Sequence, residues 1–177
     1  MMLNKKAQQG ILLLEVLISI LILAFGLLGI ASLLLISNQA NNSSYAKQQA
    51  VQIVYNMFDR IRANSQAAIN GNYTVTNIGS NGYPIPVNTP STLCISAPCT
   101  AAQLASYDTW IWLTQDVSLL PNGSGSISTA PNGTSGNTLV TVTVQWDDSL
   151  AIRTSGASSQ ISATNPNFVQ ISIQSQL

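Results

Sequence analysis

Histidine is absent from all 177 residues, and only 7% of them are Asp, Glu, Lys or Arg, against roughly a quarter in ordinary soluble domains. The first absence removes the commonest general base and metal ligand, with every Ser-His or Cys-His nucleophile arrangement. Ordinary hydrolase and zinc chemistry are excluded on that ground, and neither a metal site nor a cofactor is expected. Six basic side chains are also too few for nucleic acid: beyond Lys5 and Lys6 there remain Lys47, Arg60, Arg62 and Arg153, scattered where a DNA or RNA footprint needs clustered cations to displace counterions from phosphates. Ser, Thr, Asn and Gln are plentiful instead, so the surface is polar but nearly uncharged. The length fits one modest domain with an appendage.

What is present in quantity is a long apolar run. Ile11 to Ile36 reads ILLLEVLISILILAFGLLGIASLLLI, 26 residues, longer than the roughly 20 that span a bilayer core. A secretory signal has an apolar region of only about 7 to 15 residues. Lys5 and Lys6 precede the run and the next basic residue is Lys47, which holds the N-terminus in the cytoplasm and places everything after about Ser37 outside. One charge, Glu15, lies inside the run. A carboxylate in a membrane helix carries a penalty on the order of 3 kcal/mol at mid-depth and less near an end, so it either snorkels to the headgroups or finds a partner.

The segment Lys5-Lys6-Ala7-Gln8-Gln9-Gly10 followed by Ile11-Leu12-Leu13-Leu14-Glu15 resembles the prepilin peptidase site of type IV pilins and pseudopilins. The resemblance implies a leader over residues 1–10, cleavage between Gly10 and Ile11 by a prepilin peptidase, N-methylation of Ile11, and Glu15 as an assembly residue. Cleavage creates a cationic amine within the apolar layer, and the carboxylate of a neighbouring subunit neutralises it. Leader removal leaves four basic against six acidic side chains. Ile11 stands where that family usually has Phe, and Leu12 where Thr or Ser is common; both departures bear on methylation more than on cleavage. Gly26 and Gly29 are the weak points of the run, read as close-packing positions, and the first proline is Pro84.

Ser37 to Ser44 (SNQANNSS) is poor helix material, because short polar side chains compete for backbone hydrogen bonds, and a kink is expected there. Helical spacing then returns in the apolar stripe Ala50, Ile53, Val54, Met57, Phe58 and Ile61, so one face is buried. The helix is expected to run from about Leu12 to Ala68, its first half (11–36) in the membrane and its second (37–70) outside. Asp59 and Arg62, three apart, can pair. A loop rich in Gly, Asn, Thr and Pro follows Asn70, with a short strand around Tyr73 to Asn77.

The only cysteines, Cys94 and Cys99, enclose ISAP. Outside a bacterial inner membrane thiols oxidise, so a disulfide closing a small loop is favoured; a C-x-x-C redox site has other spacing, and a metal lacks further ligands. Ala101 to Leu120 reads as a second helix with Leu104, Tyr107, Ile111 and Val117 inward. Strands are expected at Ser126–Thr129, at Thr138–Trp146 with Leu139/Thr141/Thr143 alternating against Val140/Val142/Val144, weakly near Ala151–Thr154, and at Phe168–Ser175 with Val169, Ile171 and Ile173 on one face. The turn signals between them favour an antiparallel meander. Asp147 and Asp148 are read as strand-end turn residues rather than a metal or acid-base pair.

Tyr55, Met57, Asp59, Arg60, Arg62, Ala63 and Asn64, then Ala101, Leu104, Ala105, Tyr107, Asp108 and Trp110, then Leu120, Pro121, Gly123 and Gly125, and finally Thr143, Val144, Trp146, Asp147 and Asp148 resemble the PilV-type minor pilins, the type IV pilus modification proteins. That resemblance implies an α+β pilin fold: a long N-terminal helix packed on an antiparallel β-sheet head at 71–177. It implies a non-enzymatic minor pilin of the initiation or tip complex of a type IV pilus. The implied partners are other minor pilins, the major pilin, prepilin peptidase, the inner membrane and a tip adhesin. The rival readings are a minor pseudopilin of a type II secretion system, which shares this architecture, and a membrane-anchored periplasmic enzyme or adhesin, suggested by the Ser/Thr-rich loops.

Overall fold

The computed structural model of the chain describes residues 8–95, 98–132, 137–149 and 167–177; Lys5, Lys6 and the weak strand expected near Ala151–Thr154 lie outside them. It forms two compact units, Met1–Asn41 and Asn42–Leu177. Helix α1, Gln8–Ala63, contributes to both. In the first unit every large apolar side chain from Leu13 to Ile36 is 49% to 70% exposed, so this segment of the helix has no apolar partner among the described residues.

The short polar run Ser37–Ser44, where a kink is expected, does not interrupt the helix: α1 is helical throughout. Competition from short polar side chains is relieved where they find partners elsewhere, and Ser43 Oγ donates to Asp148 Oδ2 at 2.6 Å. α1 ends earlier than the expected Ala68. Its last turn carries Arg60 and Arg62, cations at the negative end of the helix dipole. Asn64 (φ −127°) then breaks the helix, and α2, Ser65–Ile69, follows.

In the second unit the stripe of α1 is buried as its spacing requires: Ala50, Val54, Met57, Phe58 and Ile61 are at most 1% exposed and Ile53 is 6% exposed. It shares one core with a four-stranded antiparallel sheet of order β1-β2-β3-β4. The strands are β1 Val75–Thr76, β2 Ser124–Asn132, β3 Asn137–Asp147 and β4 Phe168–Gln176. β2, β3 and β4 form the expected meander, and the segment containing the second helix intervenes between β1 and β2. Alternation on β3 buries Val140, Val142, Val144 and Trp146 completely, while Val169, Ile171 and Ile173 of β4 pack on the same core. This long apolar helix with a four-stranded antiparallel sheet is an α+β pilin fold.

The second helix differs from expectation. α3 covers Ala101–Ile111, then winds into a π turn at Trp112–Asp116 and a 3₁₀ turn at Val117–Leu119. Its start is fixed by a capping box: Thr100 Oγ1 accepts from Gln103 N at 3.3 Å, and Gln103 Oε1 accepts from Thr100 N at 2.9 Å. The buried face is Ala105, Thr109, Trp112, Leu113 and Val117, whereas Leu104 is 37% exposed and Tyr107 and Ile111 are half-buried. Small side chains let α3 approach closely, and Thr109 satisfies its own hydroxyl by donating to Ala105 O at 2.9 Å. Trp112 and Leu113, seven and eight positions after Ala105, continue the same buried face into the π turn.

Candidate functional site

The residues singled out at the N-terminus fall on α1. Gly10 and Ile11 are in its first turn, and Glu15 follows on an exposed stretch. The Glu15 main-chain oxygen accepts from Ser19 Oγ at 2.8 Å, but its carboxylate meets no donor or cation among the described residues. Uncovered apolar side chains stand around it, Leu13, Leu14, Val16 and Leu17 among them. A Cβ placed on Gly26 or Gly29 would meet nothing within 4 Å, leaving two notches where another helix can approach. By length and composition α1 can cross a membrane. One acid on a predominantly apolar helical surface, with no cation beside it among the described residues, has the chemistry of a group awaiting one.

In the second unit the polar side chains hold the fold. Arg60 reaches across from α1 with Nη2 3.3 Å from Asp116 Oδ2 and Nη1 3.7 Å from Asp108 Oδ1, and its Nε donates to Asn56 Oδ1 at 2.9 Å. Asp108 Oδ2 in turn accepts from the Tyr73 hydroxyl at 2.8 Å, which accepts from Asn64 Nδ2 at 3.2 Å. Tyr73 is fully buried; burial above all pushes its phenol well above the ordinary tyrosine value, the Asn64 hydrogen bond opposing, the Asp108 carboxylate adding to the rise and Arg60 opposing least. It therefore stays protonated and donates. This network was missed from sequence, since its members are up to 56 residues apart, although Arg60, Asn64 and Asp108 all belong to the quoted motifs. The pair Asp59–Arg62 forms as expected, at 3.5 Å and well exposed.

Cys94 and Cys99 are joined in a disulfide, Cα atoms 5.7 Å apart, immediately before the Thr100 cap of α3. Asp147 and Asp148 are separately engaged: Asp147 accepts from Ser149 N at 3.0 Å and Asn122 Nδ2 at 3.4 Å, and Asp148 from Ser43. Asp147 is a strand-end group as expected, and Asp148 in addition tethers Ser43 of α1. A cavity of about 120 Å³ is lined by Pro90, Ser91, Thr92, Gln103 and Ser106, with no ionisable side chain. Among the described residues no group of three or more His, Cys, Asp or Glu is placed to hold a metal.

Residues 33–110 match the family model described as Tt1218-like, type IV pilin Tt1218. The match takes in the end of the apolar stretch, the whole buried stripe of α1, the disulfide loop and nearly all of α3. It covers less than half of the chain. It supports a type IV pilin, in agreement with the fold and with the apolar helix that precedes and enters the matched region. No curated protein and no solved structure matches the chain.

Proposed function

We propose that this chain is a minor pilin of PilV type. It is cut between Gly10 and Ile11 by a prepilin peptidase, methylated at the new Ile11 amine, and held in the inner membrane with its N-terminus cytoplasmic and its head periplasmic. It then joins other minor pilins and the major pilin in the initiation or tip complex of a type IV pilus, where it is a structural primer and adaptor with no catalytic step. A tip adhesin is its further partner. The observation that carries this reading is the type IV pilin match over residues 33–110, joined to an uncovered apolar helix whose single charge is Glu15.

The physical logic is mutual compensation. A carboxylate near the end of a membrane helix and a cationic N-terminal amine are each unfavourable in hydrocarbon, by up to about 3 kcal/mol, and together they make one charge-assisted contact between subunits. Glu15→Leu removes half of that contact while adding apolar surface. The variant is expected to accumulate in the membrane, processed, but to be lost from sheared filaments and from cross-linked minor-pilin complexes. Intact mass of the protein from its native membrane tests the processing directly: leader loss and one added methyl group are expected, and an unchanged mass in cells with active prepilin peptidase refutes it. Deletion that abolishes protein secretion and leaves twitching intact assigns the chain to a type II secretion system instead.

A further inference from the structure

Of the three tryptophans, two belong to the core: Trp112 and Trp146 are fully buried. Trp110 is only half-buried, as is Tyr107 beside it, their ring centroids 6.2 Å apart and their planes inclined by 32°. Neither ring takes part in the core cluster. Gln103, Ser106, Tyr107 and Trp110 have the i, i+3, i+4, i+7 spacing that lines side chains along one helical face, while Ala105, Thr109 and Trp112 take the buried one. The outward face carries no acid or base. Asp108 is the one such residue on α3, and it is turned toward Arg60 and Tyr73.

The cavity of about 120 Å³ opens at the start of this same face, where Gln103 and Ser106 meet Pro90, Ser91 and Thr92 of the preceding loop. Its walls are set before any ligand arrives. Gln103 Nε2 donates to Thr92 Oγ1 at 3.3 Å while Gln103 Oε1 accepts from Thr100 N at 2.9 Å. The Cys94–Cys99 disulfide closes the chain between those two contacts, and the ring of Pro90 fixes its own φ. Ser106 Oγ donates to Ala102 O at 3.1 Å, which leaves its lone pairs to accept, and the Thr92 hydroxyl keeps its proton to give. No described residue engages the hydroxyls of Ser91 and Tyr107 or the indole N–H of Trp110. The cavity and its rim therefore offer both donors and acceptors, and the cavity wall bears no charge.

We propose that this cavity and the adjoining aromatic pair bind one uncharged sugar residue of a glycan. Each hydroxyl of a sugar both donates and accepts, as the cavity wall does. An anionic or cationic ligand would surrender its hydration and find no opposite charge, and an apolar one would strand the hydroxyls of Ser91 and Thr92 without water. A pyranose also has an apolar side, whose weakly positive C–H hydrogens suit the negative face of an aromatic ring. Its hydroxyl-bearing edge thus enters the cavity while its C–H face lies on Tyr107 or Trp110. Pockets that enclose a whole ligand hold about 300 to 1,000 Å³, so this smaller one grips the edge of a single residue. A wall already tied to α3 loses little freedom on binding. The inference goes beyond the pilin reading and stands independently of it.

The test is acrylamide quenching of tryptophan fluorescence, with the full chain in a zwitterionic detergent that has no sugar headgroup. The quencher reaches Trp110 ahead of the other two indoles, which are sealed in the core. Methyl glycosides of glucose, galactose, mannose and N-acetylglucosamine are titrated singly, and at least one is expected to shield Trp110 with a Kd of about 1 to 10 mM. Saturation-transfer NMR on the same samples should show contact through the sugar's C–H face. Ser106→Leu fills the mouth of the cavity, and Tyr107→Leu removes one ring while leaving the cavity intact. Each should raise the Kd by about tenfold or more, with the near-ultraviolet circular dichroism of the head retained in at least one of them. The proposal is overturned if none of the four glycosides shields Trp110, if a folded variant binds as tightly as the parent, or if inorganic sulfate or phosphate shields Trp110 in their place.

Discussion

Replacing Gly125 by alanine should destabilise the head through one specific collision. A Cβ at that position would lie 2.6 Å from Trp112 Cη2, 2.8 Å from Cζ3 and 3.2 Å from Leu113 Cδ2. The indole is not free to retreat, being fully buried with its Nε1–H donating to the Ile53 main-chain oxygen at 3.1 Å. On the other side, the Gly125 backbone is clamped between the main chain and side chain of Asn77. Overpacking of this kind costs about 1 to 3 kcal/mol, and losing the buried indole bond adds about 1 to 3 kcal/mol. Gly125→Ala is therefore expected to lower stability by about 3 kcal/mol, on the order of 10 °C in melting temperature, read by thermal unfolding of the full chain in detergent with near-ultraviolet circular dichroism. Trp112→Phe shortens the side chain at the colliding ring. The double variant should then be more stable than the two single effects predict, by about 1 kcal/mol or more in a double-mutant cycle. A loss below about 0.5 kcal/mol for Gly125→Ala, or simple additivity in the cycle, refutes the steric account.

Two further outcomes concern the polar network. Arg60→Met leaves Asp108 and Asp116 without their shared cation and should cost about 2 kcal/mol, whereas Asp59→Asn, which breaks only the exposed pair with Arg62, should change stability by less than about 0.5 kcal/mol; both are measured by denaturant unfolding of the full chain. Tyr73 is raised above the ordinary value of 10.0 chiefly by burial, with Asn64 opposing and Asp108 adding to the rise, so the folded state holds a proton that the unfolded state releases. Its contribution to stability is complete below pH 10 and is lost progressively as pH rises above it. The alkaline fall in stability should be shallower in Tyr73→Phe than in the parent, and an identical slope refutes the assignment.

Much of this arrangement was legible because it is periodic. The 3.6-residue spacing of Ala50 to Ile61 marks a buried helical face, and the two-residue alternation of Leu139 to Val144 marks a half-buried strand; both follow from backbone geometry alone. The misreadings arose where size or local propensity was set against tertiary partners. Leu104, Tyr107 and Ile111 are larger apolar side chains of α3, yet the smaller Ala105 and Thr109 face inward. The segment Ser37–Ser44 reads as a kink by propensity, yet Ser43 finds a carboxylate 105 residues away. Arg60 could be placed on α1 from sequence, but its aspartates lie on another element, and no local pattern encodes that meeting. Glu15 was legible for the opposite reason: a lone acid in an apolar run is conspicuous without any structure.

The three paired strands beyond the short first one carry a single ionisable side chain among their described residues, Asp147 at the very end of β3. Water is held at this sheet by hydroxyls and amides, whose hydration hardly responds to dissolved salt or to mild acidity. Contacts made through such a wall are not weakened by counterions, which extinguish attraction between exposed charges within about 10 Å at 0.1 M ionic strength. Packing contacts made through this sheet should therefore keep their strength from dilute to concentrated salt.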